Sequence, residues 1–320
     1  MSATRFLITA PIEDAATQIL STFAPVTISP STAHETLLGL LDGSIGIVAR
    51  GEAQMNRSLI EAAHDLKVVG RSGVGYDSVD VEALNERGIP LIIAPVGGFA
   101  VAEAALALLL ALIKQLPAMD QAVRSGDWLR RYTAQIGDMD EHTLGIVGLG
   151  RIGSHLAKLL QPFEMTILGY DPYIDAETME GLGVEKVDLD ELLRRSDYVS
   201  LHMLLNDETR GMIGRAEIAK MKKGVVLLNL ARGGIIDGLD LLADALDEGQ
   251  LSFLGLDVFP NEPPDVSHRL FKDPRCIFSP HALGMSYLAM NRVCRSMAND
   301  MLAILEGRKP RHCVNPEVLG

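Results

Sequence analysis

Short apolar runs bounded by glycine and polar residues alternate along this chain with longer stretches whose apolar residues recur every three or four positions. Runs of the first kind predict buried strands, and stretches of the second kind predict amphipathic helices. In the first hundred residues the strand-like runs are Phe6–Ala10, Val26–Ser29, Ile45–Ala49, Val68–Gly70 and Leu91–Ala94. The helical stretches between them run from Pro11 to about Phe23 and over Glu35–Leu41, Asn56–His64 and Val81–Arg87, with Pro11 suited to a first helical turn. Strands separated by crossovers of this length form a parallel sheet, so one α/β unit is complete before any nucleotide-type motif arrives. Val101–Leu116, rich in Ala and Leu and apolar on most faces, predicts a buried helix. Gly126–Tyr132, with the single tryptophan Trp128, reads as a connector.

A second alternation follows. Leu144–Val147, Met165–Tyr170, Tyr198–His202, Val225–Asn229, Phe253–Val258 and Cys276–Ser279 read as strands, with helices over Ala176–Gly181, Leu189–Arg195, Arg215–Met221 and Gly238–Glu248. Leu288–Glu306 reads as a closing helix. The pattern predicts the α/β class with two doubly wound parallel-sheet domains.

The stretch Thr143–Asp171 organises the second alternation. Behind the strand at Leu144–Val147, Gly148, Gly150 and Gly153 form G-x-G-x-x-G, and Ile152, Leu156, Leu159 and Leu160 make the apolar face of a helix. Gly148 permits a tight turn, Gly150 lets backbone approach a diphosphate, and Gly153 allows close helix–strand packing. The diphosphate would lie at the helix N-terminus, where free N–H groups and the helix dipole favour an anion. Asp171 ends the next strand, where a carboxylate accepts hydrogen bonds from the adenosine ribose. It would repel the extra 2′-phosphate of NADP, and Pro172 and Tyr173 follow it rather than Arg or Lys. NAD is the expected cofactor.

Composition narrows the class. The 320 residues suffice for two cores, and a 48% hydrophobic content excludes a disordered chain. A net charge of −13 argues against nucleic acid or an anionic membrane as partner. Cys276, Cys294 and Cys313 lack metal-type spacing and suit a reducing compartment, so no metal is expected. Phe6–Ala10 is too short for a signal-peptide core, and Ala104–Ile113 covers only about half a membrane span. These features predict a cytoplasmic protein.

Four further segments put polar residues at strand ends, where α/β sheets bind ligands. Arg71-Ser72-Gly73-Val74-Gly75 exposes successive backbone N–H groups in a nest suited to a carboxylate, or is an ordinary turn. Arg232, between a buried strand and the pair Gly233-Gly234, can grip a carboxylate in bidentate fashion, or can form a surface ion pair. Glu262 and His281 lie in loops stiffened by Pro260, Pro263 and Pro280. A histidine donating to a carboxylate is held in one tautomer with its imidazolium favoured, as a proton donor to a ketone requires.

The motifs G-L-G-R-I-G, Y-D-P, N-L-A-R-G-G-I-I-D, D-V-F-P-N-E-P and S-P-H-A-L-G stand in this order. Together they resemble the D-isomer-specific 2-hydroxyacid dehydrogenase family, above all its phosphoglycerate dehydrogenase and glyoxylate or hydroxypyruvate reductase members, from Arg50 to Asn315. The resemblance implies Arg232, Glu262 and His281 as the catalytic trio. It places Gly148, Gly150, Arg151, Ile152, Gly153, Asp171, His202, Ala231, Asp257 and Gly284 on the cofactor, and Arg50, Ser72, Gly73, Val74 and Gly75 on the substrate. It also implies a flavodoxin-like substrate domain of residues 1–98 and 288–320, an inserted Rossmann NAD-binding domain of residues 99–287, and a homodimer acting on a small 2-hydroxy or 2-keto acid. Departures are Ala104 where relatives often carry His or a hydroxyl residue, and Leu204 where a proline is usual. With nothing after Gly320, feedback through a serine-binding domain is not expected. The alternatives are a phosphite-type dehydrogenase of the same fold and an NAD-sensing corepressor-like binding protein; Glu262 speaks against formate dehydrogenases, which carry Gln there.

Overall fold

The computed structural model describes residues 4–320. The fold has two α/β units, one made of the chain up to Gly97 together with Met285–Gly320, the other of Gly98–Gly284. In the first unit, β1 (Arg5–Ile8), β2 (Val26–Ile28), β3 (Ser44–Ala49), β4 (Val68–Arg71) and β5 (Leu91–Ile92) lie in the order β2-β1-β3-β4-β5, every pair parallel. This is the flavodoxin-like order, and its switch point lies between β1 and β3. Both faces are covered, which is why these strands are almost wholly apolar. On one face Phe6, Ile8, Val48 and Val68 pack against Met290, Val293, Met297 and Met301 of the helix Tyr287–Leu305. On the other, Leu7, Ile47 and Val69 meet Leu37, Leu59, Ile60 and Leu84. Gly70 is what lets the Met-rich helix seat itself, since a Cβ there would stand 2.3 Å from the Met301 sulfur.

The second unit holds seven parallel strands: β6 (Thr143–Val147), β7 (Thr166–Tyr170), β8 (Glu185–Lys186), β9 (Tyr198–Leu201), β10 (Val225–Asn229), β11 (Leu251–Leu256) and β12 (Cys276–Phe278). Their order, β12-β11-β10-β9-β6-β7-β8, is that of a Rossmann sheet, with the switch point between β6 and β9. Ala102, Ala105, Leu108, Leu109 and Leu112 of the helix Gly98–Ile113 are buried against this sheet.

Several sequence expectations need correction. The first helix is Asp14–Leu20, not a helix from Pro11: Glu13 is extended and its carbonyl takes the first helical N–H, from Ala16. Proline fixes φ but does not compel a helix. The expected helix Val101–Leu116 runs from Gly98 to Ile113 and stops where Gln115 turns left-handed at φ 49°. A second helix, Leu116–Ser125, begins there with Pro117 in its first turn, the one place where a missing N–H costs nothing. The two-residue edge strand β8 was not foreseen, because Glu185-Lys186 carries no apolar signal. Among the described residues no single helix is long and apolar enough to cross a membrane.

Candidate active site

The carboxyl ends of β6 and β9 carry the glycine turn and His202. Gly148 has φ 93°, and a Cβ on it would lie 2.9 Å from the His202 carbonyl carbon and the Met203 nitrogen. A Cβ on Gly153 would lie 2.1 Å from the Gly148 oxygen. Both must be glycine for the fold to close. Gly150 differs: a Cβ there would meet nothing within 4 Å, and the residue caps the helix Arg151–Leu160. The space a side chain would fill is the space a diphosphate needs above the helix N-terminus. Asp171 stands beside this turn, its carboxylate accepting from Leu149 N and Tyr173 N at 2.9 Å each.

His202 is half-buried, and burial pushes its imidazole down to about 4, so the ring is neutral at working pH. Its Nε2 meets Ser200 Oγ at 2.8 Å, while Nδ1 is buried with no partner among the described residues. An orphaned nitrogen at this edge and the open cradle at Gly150 both fit a bound dinucleotide. Arg151 is exposed and Ile152 partly buried on the first turn of the helix. Gly284 has a packing reason of its own, since a Cβ there would lie 2.6 Å from a Val101 methyl.

Beyond β10, β11 and β12 the structure brings Arg232, Glu262 and His281 together. Asn229, fully buried at the end of β10, shapes the first loop: its amide donates to the Arg232 carbonyl at 2.8 Å and accepts from Ala231 N at 3.0 Å. Arg232 Nη1 donates to the Ala231 carbonyl at 2.7 Å. Gly233 then lets this loop press on the next, because a Cβ there would lie 1.9 Å from the Phe259 carbonyl carbon. Glu262 Oε1 accepts from Phe259 N at 3.0 Å, and Oε2 lies 2.8 Å from His281 Nδ1. Burial raises the Glu262 carboxyl, but the hydrogen bonds from His281 and Phe259 outweigh it, and the Arg232 charge adds to them. The net effect holds Glu262 below its usual value, so it is a carboxylate at neutral pH. A carboxylate has no proton to give, so Nδ1 must carry the hydrogen, and Nε2 is left for chemistry.

Asp257, nearly buried after β11, fastens the histidine loop. Its carboxylate accepts from Ser279 Oγ at 2.6 Å and Ala282 N at 3.0 Å. His281 between them has φ 51°, a left-handed conformation unusual outside glycine that costs on the order of 1–3 kcal/mol and persists only where surroundings enforce it. The loop roles of Asn229, Gly233 and Ser279 were missed from sequence. The only signals were an Asn at the end of an apolar run and a doubled glycine.

The remaining candidates lie in the first unit, and they form a cluster of their own. Arg50 follows β3, and its Nη1 donates to Glu13 Oε2 at 3.1 Å. Buried Thr9 exchanges hydrogen bonds with the Arg50 backbone, accepting at 2.9 Å and donating at 3.1 Å. Arg71 donates to the carbonyls of Ala49 at 3.1 Å and Gly75 at 3.0 Å, tying the Arg50 segment to the glycine loop. In that loop Ser72 N donates to Ala49 O and Gly73 N to Arg71 O, while the N–H groups of Val74 and Gly75 find no acceptor among the described residues.

Comparison with known proteins gives this geometry its context. Residues 106–282 match the family model described as D-isomer specific 2-hydroxyacid dehydrogenase, NAD binding domain. The D-3-phosphoglycerate dehydrogenase of Methanocaldococcus jannaschii is 38% identical over 97% of this chain, which spans 59% of that protein's length. A glyoxylate reductase from Paecilomyes thermophila superposes with TM-score 0.88 at 32% identity, covering 99% of this chain and all of the other. A D-lactate dehydrogenase from Aquifex aeolicus, solved with NAD and lactic acid, superposes with TM-score 0.86 at 27% identity, covering 95% of this chain and 96% of the other. Sequence motifs, sheet orders and these matches agree: the chain belongs to the D-isomer specific 2-hydroxyacid dehydrogenase family, and residues 106–282 match its NAD-binding domain.

Proposed function

We propose that the protein is an NAD-dependent oxidoreductase that interconverts a small D-2-hydroxy acid of the phosphoglycerate, glycerate or glyoxylate class and its 2-keto acid. The observation that carries this reading is the 2.8 Å contact between His281 Nδ1 and a Glu262 carboxylate held charged beside Arg232. NAD, when bound, supplies or accepts the hydride. Gly148, Gly150, Arg151, Ile152 and Gly153 hold its diphosphate, Asp171 its ribose, and His202, Ala231, Asp257 and Gly284 line its remaining length. The protein's own residues manage charge and the proton. Arg232 grips the substrate carboxylate and polarises the carbonyl. His281 Nε2 gives a proton to the carbonyl oxygen in reduction and takes it back from the hydroxyl in oxidation. Glu262 orients the ring and holds it in the tautomer with Nδ1–H. In the first unit, Arg50 and the Ser72–Gly75 loop are the candidate substrate-binding residues.

The test is NADH oxidation with hydroxypyruvate, glyoxylate and 3-phosphohydroxypyruvate, followed by His281→Ala and Glu262→Gln. His281→Ala should remove most turnover and leave NADH binding intact. Because the two act as a unit, the double variant should be scarcely slower than His281→Ala. Losses that simply multiply would make His281 a positioning residue and not the acid. A homodimer belongs to the same reading: Leu116, Val123, Trp128, Leu129 and Tyr132 are all exposed on one stretch of chain, an apolar surface of the kind that subunits cover. Sedimentation equilibrium of Trp128→Arg should show a shift towards monomer; an unchanged dimer would place the interface elsewhere.

A further inference from the structure

Resting on the assignment of NAD as cofactor, we infer that Glu208, positioned by Tyr173, is a second carboxylate besides Asp171 that bars a 2′-phosphorylated dinucleotide from the adenosine end of the site. Every residue concerned lies in the second unit. Asp171 and Tyr173 leave the carboxyl end of β7, and Glu208 stands on the loop that leaves β9. In the sheet these two strands flank β6, whose glycine turn is the diphosphate cradle. The Tyr173 hydroxyl donates to Glu208 Oε2 at 3.1 Å, so the two loops are joined across the end of β6.

The bridge is fixed at both ends. Asp171 Oδ1 accepts from Tyr173 N at 2.9 Å, which ties the tyrosine to the carboxylate expected at the ribose. On the other loop Asn206 Oδ1 accepts from Glu208 N at 3.0 Å and Thr209 N at 2.9 Å, and Thr209 Oγ1 donates to the Leu204 carbonyl at 2.6 Å. A loop closed on itself in this way presents Glu208 in one place. Tyr173 is 81% exposed, so core packing is not what the contact serves. Both carboxylates act on the one hydroxyl: the hydrogen bond to Glu208 and its charge hold the phenol above its usual value, and the Asp171 charge contributes. Two basic residues close by are directed elsewhere. Lys186 donates to the Ile174 carbonyl, and the Arg210 guanidinium lies 3.7 Å from where a Gly234 Cβ would stand. The ribose of NAD offers neutral hydroxyls to this corner. A 2′-phosphate brings about 1.5–2 negative charges instead, and meets like charge from two loops.

The experiment is fluorescence titration of the protein with NADH and with NADPH, without substrate, read as the NADPH-to-NADH ratio of Kd values. Glu208→Gln keeps an acceptor for the Tyr173 hydroxyl and removes the charge. It should lower the ratio by at least about fivefold, the scale of one exposed carboxylate facing a phosphate. Tyr173→Phe keeps the ring but releases Glu208, and should lower the ratio in the same direction. Raising salt from about 0.1 to 1 M shortens the screening length from about 10 Å to 3 Å. That should shrink the wild-type ratio more than the Glu208→Gln ratio, a difference that a merely structural residue would not produce. Glu208→Ala takes the place of the Gln variant if the latter does not melt as a folded protein. An unchanged ratio in either folded variant, or the same salt dependence with and without the Glu208 charge, overturns the inference and leaves NAD as the cofactor. A wild-type protein that binds neither dinucleotide overturns the cofactor assignment as well.

Discussion

Two glycines of the nucleotide turn, Gly150 and Gly153, respond differently to one added methyl group, and the contrast isolates cofactor binding from folding. At Gly150 the methyl meets no atom within 4 Å, and the φ of −62° is one that alanine adopts. The loss of an unhindered helix cap should cost at most about 1 kcal/mol, a fall of roughly 2–4 °C in melting temperature. At Gly153 the methyl would lie 2.1 Å from a backbone oxygen, which no rotamer change relieves. Forcing the turn off the helix should cost about 3 kcal/mol, or roughly 6–12 °C. Binding should show a different order of effects. The Gly150→Ala methyl occupies the approach to the helix N-terminus and should remove about two charge-assisted hydrogen bonds to the diphosphate. At about 1.5–3 kcal/mol each, that weakens NADH by roughly 10²–10⁴-fold. Differential scanning calorimetry and fluorescence titration with NADH measure the two quantities independently. A Gly150→Ala protein that binds NADH within threefold of wild type, or that melts as low as Gly153→Ala, would refute the assignment of the cradle.

Three other outcomes follow from the same geometry. Asp171 should favour NADH over NADPH by at least about tenfold, about 1.4 kcal/mol, and Asp171→Ala should narrow the gap by weakening NADH; equal specificity constants in the wild type would remove Asp171 from cofactor choice. Arg232→Lys should lose about two to four orders of magnitude in kcat/KM with NADH affinity kept, since Lys cannot make the bidentate contact, and near-normal turnover would make Arg232 structural. His202, pushed down to about 4 by burial, refuses a proton that the unfolded chain accepts near pH 6.5. Stability should therefore decline as pH falls from about 6.5 towards 4, by up to about 3 kcal/mol. His202→Gln should flatten that slope in urea titrations, and an unchanged slope would assign the acid sensitivity to other groups.

What could be read from sequence was whatever rests on neighbours along the chain. The spacing of Gly148, Gly150 and Gly153 carries its own geometry, because turn, cap and helix packing all lie within a few residues. Apolar periodicity likewise predicted two parallel sheets, since a strand buried on both faces must be apolar throughout. Helix ends were less legible: the stop at Ile113 and the restart at Leu116 depend on one left-handed residue, Gln115, that carries no mark of that role. The site was legible as a set of residue types and became a mechanism only through distant partners. Tertiary structure alone decided that Asp257 holds the loop of His281, that Gly233 presses the Arg232 loop onto Phe259, and that Glu13 meets Cys294 from 281 residues away. Hydrogen bonds and charge act over a few ångströms of space, and the fold sets which residues share those ångströms.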